Sequence, residues 1–464
     1  MILKNAKIYS EGLVRNGALF IEGGIIKSIS YNPSVEDLNK ILELNEDKRI
    51  FDCQDKIIIP GIIDIHSHLR DMEQSEKETF LTGTLAAAFS GITTVLNMPN
   101  TVPPAINVEI ITQWMSKAEN NIHVNVGFIA GVPKEIDEEE IKKIIALGVF
   151  GFKIYPLNSL SGIDWCDPIN IRKLFIISSE YQIPIFIHPD WPLSEEKKEE
   201  IIKNYEKEKV NNLELHDRLY PVEMEAKYVK FVIDNYITTI SEKNLSSDRY
   251  PIIHFCHISN KYSFFIINDI LKANKFYKIS FEVTPHHLLL SKEINLKESN
   301  YGKVLPPLRD KEHSKFLFDK FKEGNINLIG TDHAPHTIEE KSNGYFKAPS
   351  GFPGFETYPL LLLDKVSKFE LSLEFFIKVA SENAAQTFNL KKKGFIKEGF
   401  DADLVILAKV PEYTLSSQKF KTKAKYSPYE NFTTQIQIWK VFLKGNEINT
   451  EDLKPKGKII KRSV

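Results

Sequence analysis

The chain has little cysteine: Cys53, Cys166 and Cys256 are the only ones among 464 residues. An odd, scattered trio is no disulfide framework, so a reducing, cytoplasmic setting is expected. No apolar run approaches the ~18 residues that a membrane helix needs. The first ten residues lack a basic region followed by a long apolar core, so no export signal is expected. An excess of one charge is missing too. Sixty Lys and Arg against 62 Asp and Glu leave a net charge of −2, which offers neither a nucleic-acid surface nor a basic membrane face. The Lys-rich run 195–209 alternates with Glu and reads as a solvated helix face. There is no internal repeat and no long low-complexity linker. No Gly-x-Gly-x-x-Gly follows an early strand, which argues against a dinucleotide fold.

What is present is an ordinary globular mixture, 42% hydrophobic and 26% charged. The length suits one large domain with an accessory one, or two to three domains. Its first ~55 residues show short alternating segments at 2–9, 17–22 and 24–28, the texture of a small sheet. From Ile57 the texture changes. Apolar runs at 62–66, 93–97, 124–129, 150–155, 184–188, 252–257, 279–283 and 327–330 alternate with stretches of helical period. Those stretches lie at 76–89, 108–119, 138–147, 167–181, 222–240, 261–273 and 312–322, with 356–366 and 373–388 after the last run. Continuous apolar runs mark strands buried on both faces. Eight such units in ~330 residues suggest a (β/α)8 barrel, with a doubly wound open sheet as the alternative. From about Gly394 short alternating strands return, at 402–407 and 435–443. These are expected to join the N-terminal strands in a small discontinuous β-sandwich domain. The expected division is therefore 1–55 with 394–464 for the sandwich, and 56–393 for the barrel. The segment 189–217 is longer and more polar than the other connections, a candidate mobile loop.

In such a barrel, chemistry sits at the C-terminal strand ends. The first run ends in His66 and His68, one residue apart and hence on one face of a strand. In isolation, two half-buried histidines bonded to backbone would explain such a pair as well. The fourth run carries Lys153, the fifth ends in His188, the sixth ends in His257, and the eighth leads into Asp332. The five His and Asp residues are nitrogen and oxygen ligands of the kind zinc uses. An ammonium has no acceptor, so Lys153 as it stands cannot bind a metal. Buried among cations it would favour its neutral form. The amine can then add CO2 to give a carbamate able to bridge two metals. A lysine paired to a carboxylate at the barrel mouth is the alternative reading. Asp332 has two available tasks, as a metal ligand and as a proton acceptor from a metal-bound water. The set therefore predicts metal-assisted hydrolysis, or its reverse, at a carbonyl or phosphoryl centre. Arg70, Asn100 and His336 would surround the metals, and Arg70 offers a fork suited to a carboxylate. Asn100 in a turn and His336 in a surface loop both have plainer readings. His123, His216 and His313 read as structural or exposed and His254 as a supporting residue, while His286 and His287 are ambiguous.

At this point the chain resembles the dihydroorotases of the cyclic amidohydrolase group, within the amidohydrolase superfamily. The resemblance rests on Asp-Ile-His-Ser-His-Leu-Arg at 64–70, Asn-Met-Pro-Asn-Thr at 97–101 and Gly-Thr-Asp-His-Ala-Pro-His-Thr-Ile-Glu-Glu-Lys at 330–341. It is extended by Glu-Val-Thr-Pro-His-His-Leu at 282–288, Ala-Pro-Ser-Gly-Phe-Pro-Gly-Phe-Glu at 348–356, Asp-Ala-Asp-Leu-Val at 401–405 and Ser-Pro-Tyr-Glu at 427–430. It implies two Zn2+ per chain, one held by His66 and His68 and the other by His188 and His257, bridged by N6-carboxylysine at Lys153. Asp332 would be ligand and proton shuttle. Arg70, Asn100 and His336 would hold the substrate carboxylate. The implied reaction is the reversible cyclisation of N-carbamoyl-L-aspartate to L-dihydroorotate in pyrimidine synthesis. Two positions depart from the family. Leu305 opens the run Leu-Pro-Pro-Leu-Arg where Asn is common, and Met72 follows Arg70-Asp71 where Pro is common. An allantoinase or hydantoinase would share the metal set but needs no carboxylate clamp. A non-catalytic scaffold for aspartate transcarbamoylase would be expected to lose metal ligands, and all six are present. A homo-oligomer and an association with aspartate transcarbamoylase both stay open as partner states.

Overall fold

The structure is a computed structural model. It describes residues 1–44, 47–208, 211–449 and 454–462. The barrel begins with Ile62–Ser67 and Ile92–Asn97, each buried along its whole length. Neither face meets water, which is why these segments read as continuous apolar runs. These two pair in parallel with each other and then with Asn125–Phe128. A second parallel set runs Ala130–Gly131, Phe152–Ile154, Pro184–Ile187, Ile252–Phe255, Ile279–Phe281. The eighth position is not a full strand. It is reduced to isolated parallel bridges, Val283 with Ile329 and Ser67 with His333, which close the ring between the seventh and first strands.

The surrounding helices start where capping side chains stand. Asp167 receives the Ile169 amide just before Pro168–Tyr181, and Asn260 receives those of Tyr262 and Ser263 before Lys261–Ala273. The helix expected from residue 76 begins only at Phe80, because Thr79 and Thr82 form a capping box there. The stretch 373–388 is helical but passes through a π turn at Lys378–Glu382. The expected mobile loop at 189–217 is largely helical instead. Glu195–Glu208 and Asn212–Leu219 are helices, and the second buries Leu213, Leu215 and His216.

The terminal segments form one mixed eight-stranded sheet. Its order is Asn446–Ile448, Thr433–Leu443, Leu404–Thr414, Ile57–Pro60, Ile2–Ser10, Leu13–Glu22, Ile25–Tyr31, with Ile50–Asp52 also paired to Ile2–Ser10. Ile57–Pro60 is central to this sheet, and the chain enters the barrel directly after it at Gly61. Leu3, Ile8, Ile58, Leu404 and Phe442 fill a core of the sheet, Ile63, Ile65, Leu96, Phe150 and Phe186 fill the inside of the barrel, and Tyr9, Ile59, Val405 and Leu407 of the sheet pack into the apolar cluster around the barrel. Residues 457–462 return to the N-terminal ends of the barrel strands, where Ile459 bridges Val126 in parallel.

Candidate metal centre

The strand ends bring the ligand candidates to one mouth. His68 Nε2 lies 3.1 Å from Asp332 Oδ1, and His66 Nε2 lies 3.5 Å from the same oxygen. On the other side His188 Nδ1 and His257 Nε2 are 3.1 Å apart. The His66 and His257 rings, with centroids 5.1 Å apart, join the two halves. Ligand atoms around a tetrahedral zinc with bonds of 2.0–2.1 Å are separated by about 3.3 Å. The three separations bracket that value, and the donors of His66, His68 and Asp332 all lie within 4.8 Å of one another. These residues fit a metal.

Lys153, 1% exposed, lies near enough to His66 and His257 for its charge to act on both. It makes no ion pair with a carboxylate among the described residues. Its Nζ contacts Cys256 Sγ at 2.7 Å, so the carboxylate-paired alternative is not what the fold provides.

The next layer of contacts orients the ligands. Glu282, at the end of the seventh strand, is hydrogen-bonded to His66 Nδ1 and lies 3.3 Å from His254 Nε2. A carboxylate on the far ring nitrogen fixes the tautomer and turns the near one to the metal. Burial pushes Glu282 up, and the facing His66 and His254 pull it down to about 2. Asp190 Oδ2 stands 2.9 Å from His188 Nε2. Asp64 receives the amide and hydroxyl of Thr331, at 2.8 and 2.6 Å, and pins the loop into Asp332. Gly330 is required by close approach, since a Cβ there would sit 2.5 Å from Glu282 Oε2. Asp332 and His257 both hold a left-handed backbone, φ +49° and +35°. Such conformations in non-glycine residues persist where surrounding contacts over-determine them. Burial tends to raise the Asp332 carboxyl, but the His66 and His68 imidazoles hold it well below the usual range.

The centre opens into a cavity of about 280 Å³, lined by His66, His68, His188, His257 and Asp332 together with Arg70 and Asn100. Asn100 Oδ1 accepts the Tyr155 hydroxyl, and Tyr155 lines the same cavity. His336 stands behind this lining, its Nε2 3.1 Å from Arg70 Nη2 and 3.0 Å from Ser350 O. Burial first, then the Arg70 charge, lowers His336 to about 3, which keeps the ring neutral. Leu305 also faces the cavity, so an apolar contact stands where relatives often carry an amide. Met72 has φ +53°, which a proline fixed near −65° could not take, so this turn differs from one built on proline.

Sequence reasoning missed Glu282, Asp190, Tyr155 and Cys256. Glu282 and Cys256 stand inside apolar runs, Tyr155 ends one and Asp190 follows one, and none is marked out until its neighbours across the barrel are known. His254 is the supporting residue expected of it, and His287 is structural, bonded to Thr284 Oγ1 at 2.8 Å. His123, His216 and His313 are all buried rather than exposed.

A parallel barrel whose strand ends gather three histidine and carboxylate donors around one point defines a metal-site hydrolase. A model of the amidohydrolase family matches residues 57–448. A dihydroorotase from Methanosphaera stadtmanae is 33% identical over 437 residues, 93% of this chain and 92% of that one. A dihydroorotase from Pyrococcus horikoshii is 33% identical over 425 residues, 90% of this chain and 88% of that one. An L-hydantoinase (dihydropyrimidinase) from Arthrobacter aurescens has the same fold, with TM-score 0.84 and 24% identity over 99% of this chain and 97% of that one. The chain belongs to the amidohydrolase family, among its cyclic amidohydrolases of dihydroorotase type.

Proposed function

We propose that this protein is a dihydroorotase, interconverting N-carbamoyl-L-aspartate and L-dihydroorotate with two zinc ions. The observation that carries the reading is Arg70, a buried guanidinium facing the same cavity as His66, His68 and Asp332. A neutral cyclic amide leaves that charge without a partner, whereas the substrate carboxylate matches its fork. Two relatives at 33% identity bear the name dihydroorotase.

His66, His68 and Asp332 would hold one zinc and His188 and His257 the other, with a carbamate on Lys153 shared between them. Buried Lys153, which makes no ion pair with a carboxylate among the described residues, supports that modification. When bound, the metal pair supplies Lewis-acid polarisation of the amide carbonyl and a water acidified toward neutral pH. Arg70 and Asn100 orient the substrate by its carboxylate, with His336 steadying Arg70. Asp332, kept ionised by its histidine neighbours, takes the proton of the attacking water and delivers it to the departing ring nitrogen. In the direction of ring closure it returns that proton.

Turnover of L-dihydroorotate, hydantoin and allantoin, measured beside zinc content, tests the reading. We expect activity on dihydroorotate with close to two zinc ions per chain. Activity confined to the neutral rings would overturn the substrate assignment. Zinc well below one per chain, with no rate after zinc and bicarbonate are added, would favour a scaffold for aspartate transcarbamoylase.

A further inference from the structure

Lys341 ends the signature run 330–341, and the chemistry above gives it no task. Its side chain is fully buried. Its Nζ donates to three backbone carbonyls, those of Gly351 at 2.8 Å, Pro349 at 3.0 Å and Lys303 at 3.2 Å. Three acceptors match the three donors of an ammonium, so no N–H is left over. A residue kept only for packing would be apolar here, because an amine in this position is tolerated only with its donors satisfied.

A second buried lysine completes the arrangement. Lys303 Nζ donates to Tyr345 O at 2.7 Å and Ala348 O at 2.5 Å. The Lys303 carbonyl also accepts the Gly351 amide at 2.9 Å. Four carbonyls of the segment 345–351 thus end on two lysines. The inner side of that segment is the cavity wall, where Ser350 and Gly351 face the metal centre. This wall has no slack. Gly351 has φ +124°, and a Cβ there would approach Ala334 O to 2.6 Å and His336 Cδ2 to 3.3 Å. Ser350 O lies 3.0 Å from His336 Nε2, which in turn lies 3.1 Å from Arg70. A displacement of the wall therefore reaches the groups that meet the substrate carboxylate.

We propose that Lys341 is a positioning residue: it fixes the wall 349–351 against His336 and Arg70 and so sets affinity for the carboxylate-bearing substrate. The identity of that substrate rests on the dihydroorotase reading, whereas the wall and its lysine do not. The test uses zinc-loaded full-length Lys341→Met, Lys341→Arg and Gly351→Ala, with Michaelis parameters on L-dihydroorotate and zinc per chain. In Lys341→Met, KM is expected to rise about tenfold or more, with kcat within about threefold and zinc content unchanged. Lys341→Arg, which keeps donors in place, should fall between it and the wild type. Gly351→Ala pushes the same wall with Lys341 kept and should reproduce the rise in KM, which keeps the proposal testable if Lys341→Met fails to fold. A purely structural role would lower thermal stability and leave KM within about twofold, and that result overturns the proposal. So does a loss confined to kcat. If the wild type turns over only a neutral ring, the functional reading fails separately. The variants are then assayed on that ring, where an unchanged KM overturns the role of Lys341 and a raised KM upholds the wall.

Discussion

At the scale of single residues, the centre separates groups that do chemistry from groups that aim them. Asp332→Asn keeps the shape and removes the proton acceptor. We expect kcat to fall by about 10²–10⁴-fold, with the melting temperature little changed. A kcat within fivefold of wild type would contradict the shuttle. Glu282→Gln leaves the ligand set intact but changes what His66 Nδ1 meets, so zinc affinity should drop by about 10–100-fold in a chelator titration. Unchanged affinity would remove Glu282 from the centre. The ligand candidates were legible in the sequence because a strand of period two puts His66 and His68 on one face, and the others stand at or near the ends of apolar runs. Glu282 was not legible, since a single carboxylate in a strand announces nothing until its neighbour across the barrel is known. His336 was legible by motif, but its place behind Arg70 follows from the turn at 349–351, which no local pattern encodes.

At the scale of elements, the apolar runs marked all eight barrel positions, yet the eighth is held only by bridges at Ile329 and His333. An apolar run reports burial, and burial does not require a full ladder of hydrogen bonds. The segment 189–217 looked mobile because it is longer and more polar than the other connections, yet Ile201, Ile202 and Tyr205 of Glu195–Glu208 pack against Leu215 and Leu219. Its partner Asn212–Leu219 is anchored by long-range contacts, His216 bonding Tyr345 Oη and Val304 O at 2.7 Å each. The C-terminal segment, expected within the sandwich division 394–464, makes its hydrogen bonds to the barrel. Gly457 N donates to Ile122 O, Val126 N to Lys458 O, Ile460 N to Val126 O and Arg462 N to Gly148 O. Each such bond contributes about 0.5–1.5 kcal/mol net. A chain ending at Lys456 should therefore lose roughly 2–6 kcal/mol in urea unfolding. Because these contacts lie at the strand ends opposite the metal centre, kcat should stay within about twofold. An unchanged urea midpoint would show that the segment is a passenger.

At the scale of the whole molecule, sheet and barrel share apolar packing through Tyr9, Ile59, Val405 and Leu407, and two carboxylates grip one stretch of backbone between the sheet strands Leu404–Thr414 and Thr433–Leu443. Glu356 accepts the Lys421 amide at 2.7 Å and the Thr422 amide at 3.2 Å, while Glu78 accepts the Thr422 hydroxyl and the Lys423 amide. Burial pushes Glu356 from 4.5 up to about 7, against the pull of the two amides, and raises Glu78 in the same direction. A carboxyl raised in the folded state binds its proton more tightly there than in the unfolded chain. Its contribution is complete below about pH 4.5 and is lost as pH rises through about 7. The full shift corresponds to about 3 kcal/mol, and partial exposure of Glu356 reduces this to roughly 1–2 kcal/mol. Gln resembles the protonated acid, with one acceptor oxygen and no charge. Glu356→Gln should therefore gain stability relative to wild type between pH 5 and 8, and the gap should close at lower pH. Buried histidines change the absolute slope of both proteins alike, so the difference between the two curves is the quantity to measure. Parallel curves across that range would mean that the Glu356 carboxyl keeps its ordinary pKa in the fold and that the amides of Lys421 and Thr422 outweigh its burial.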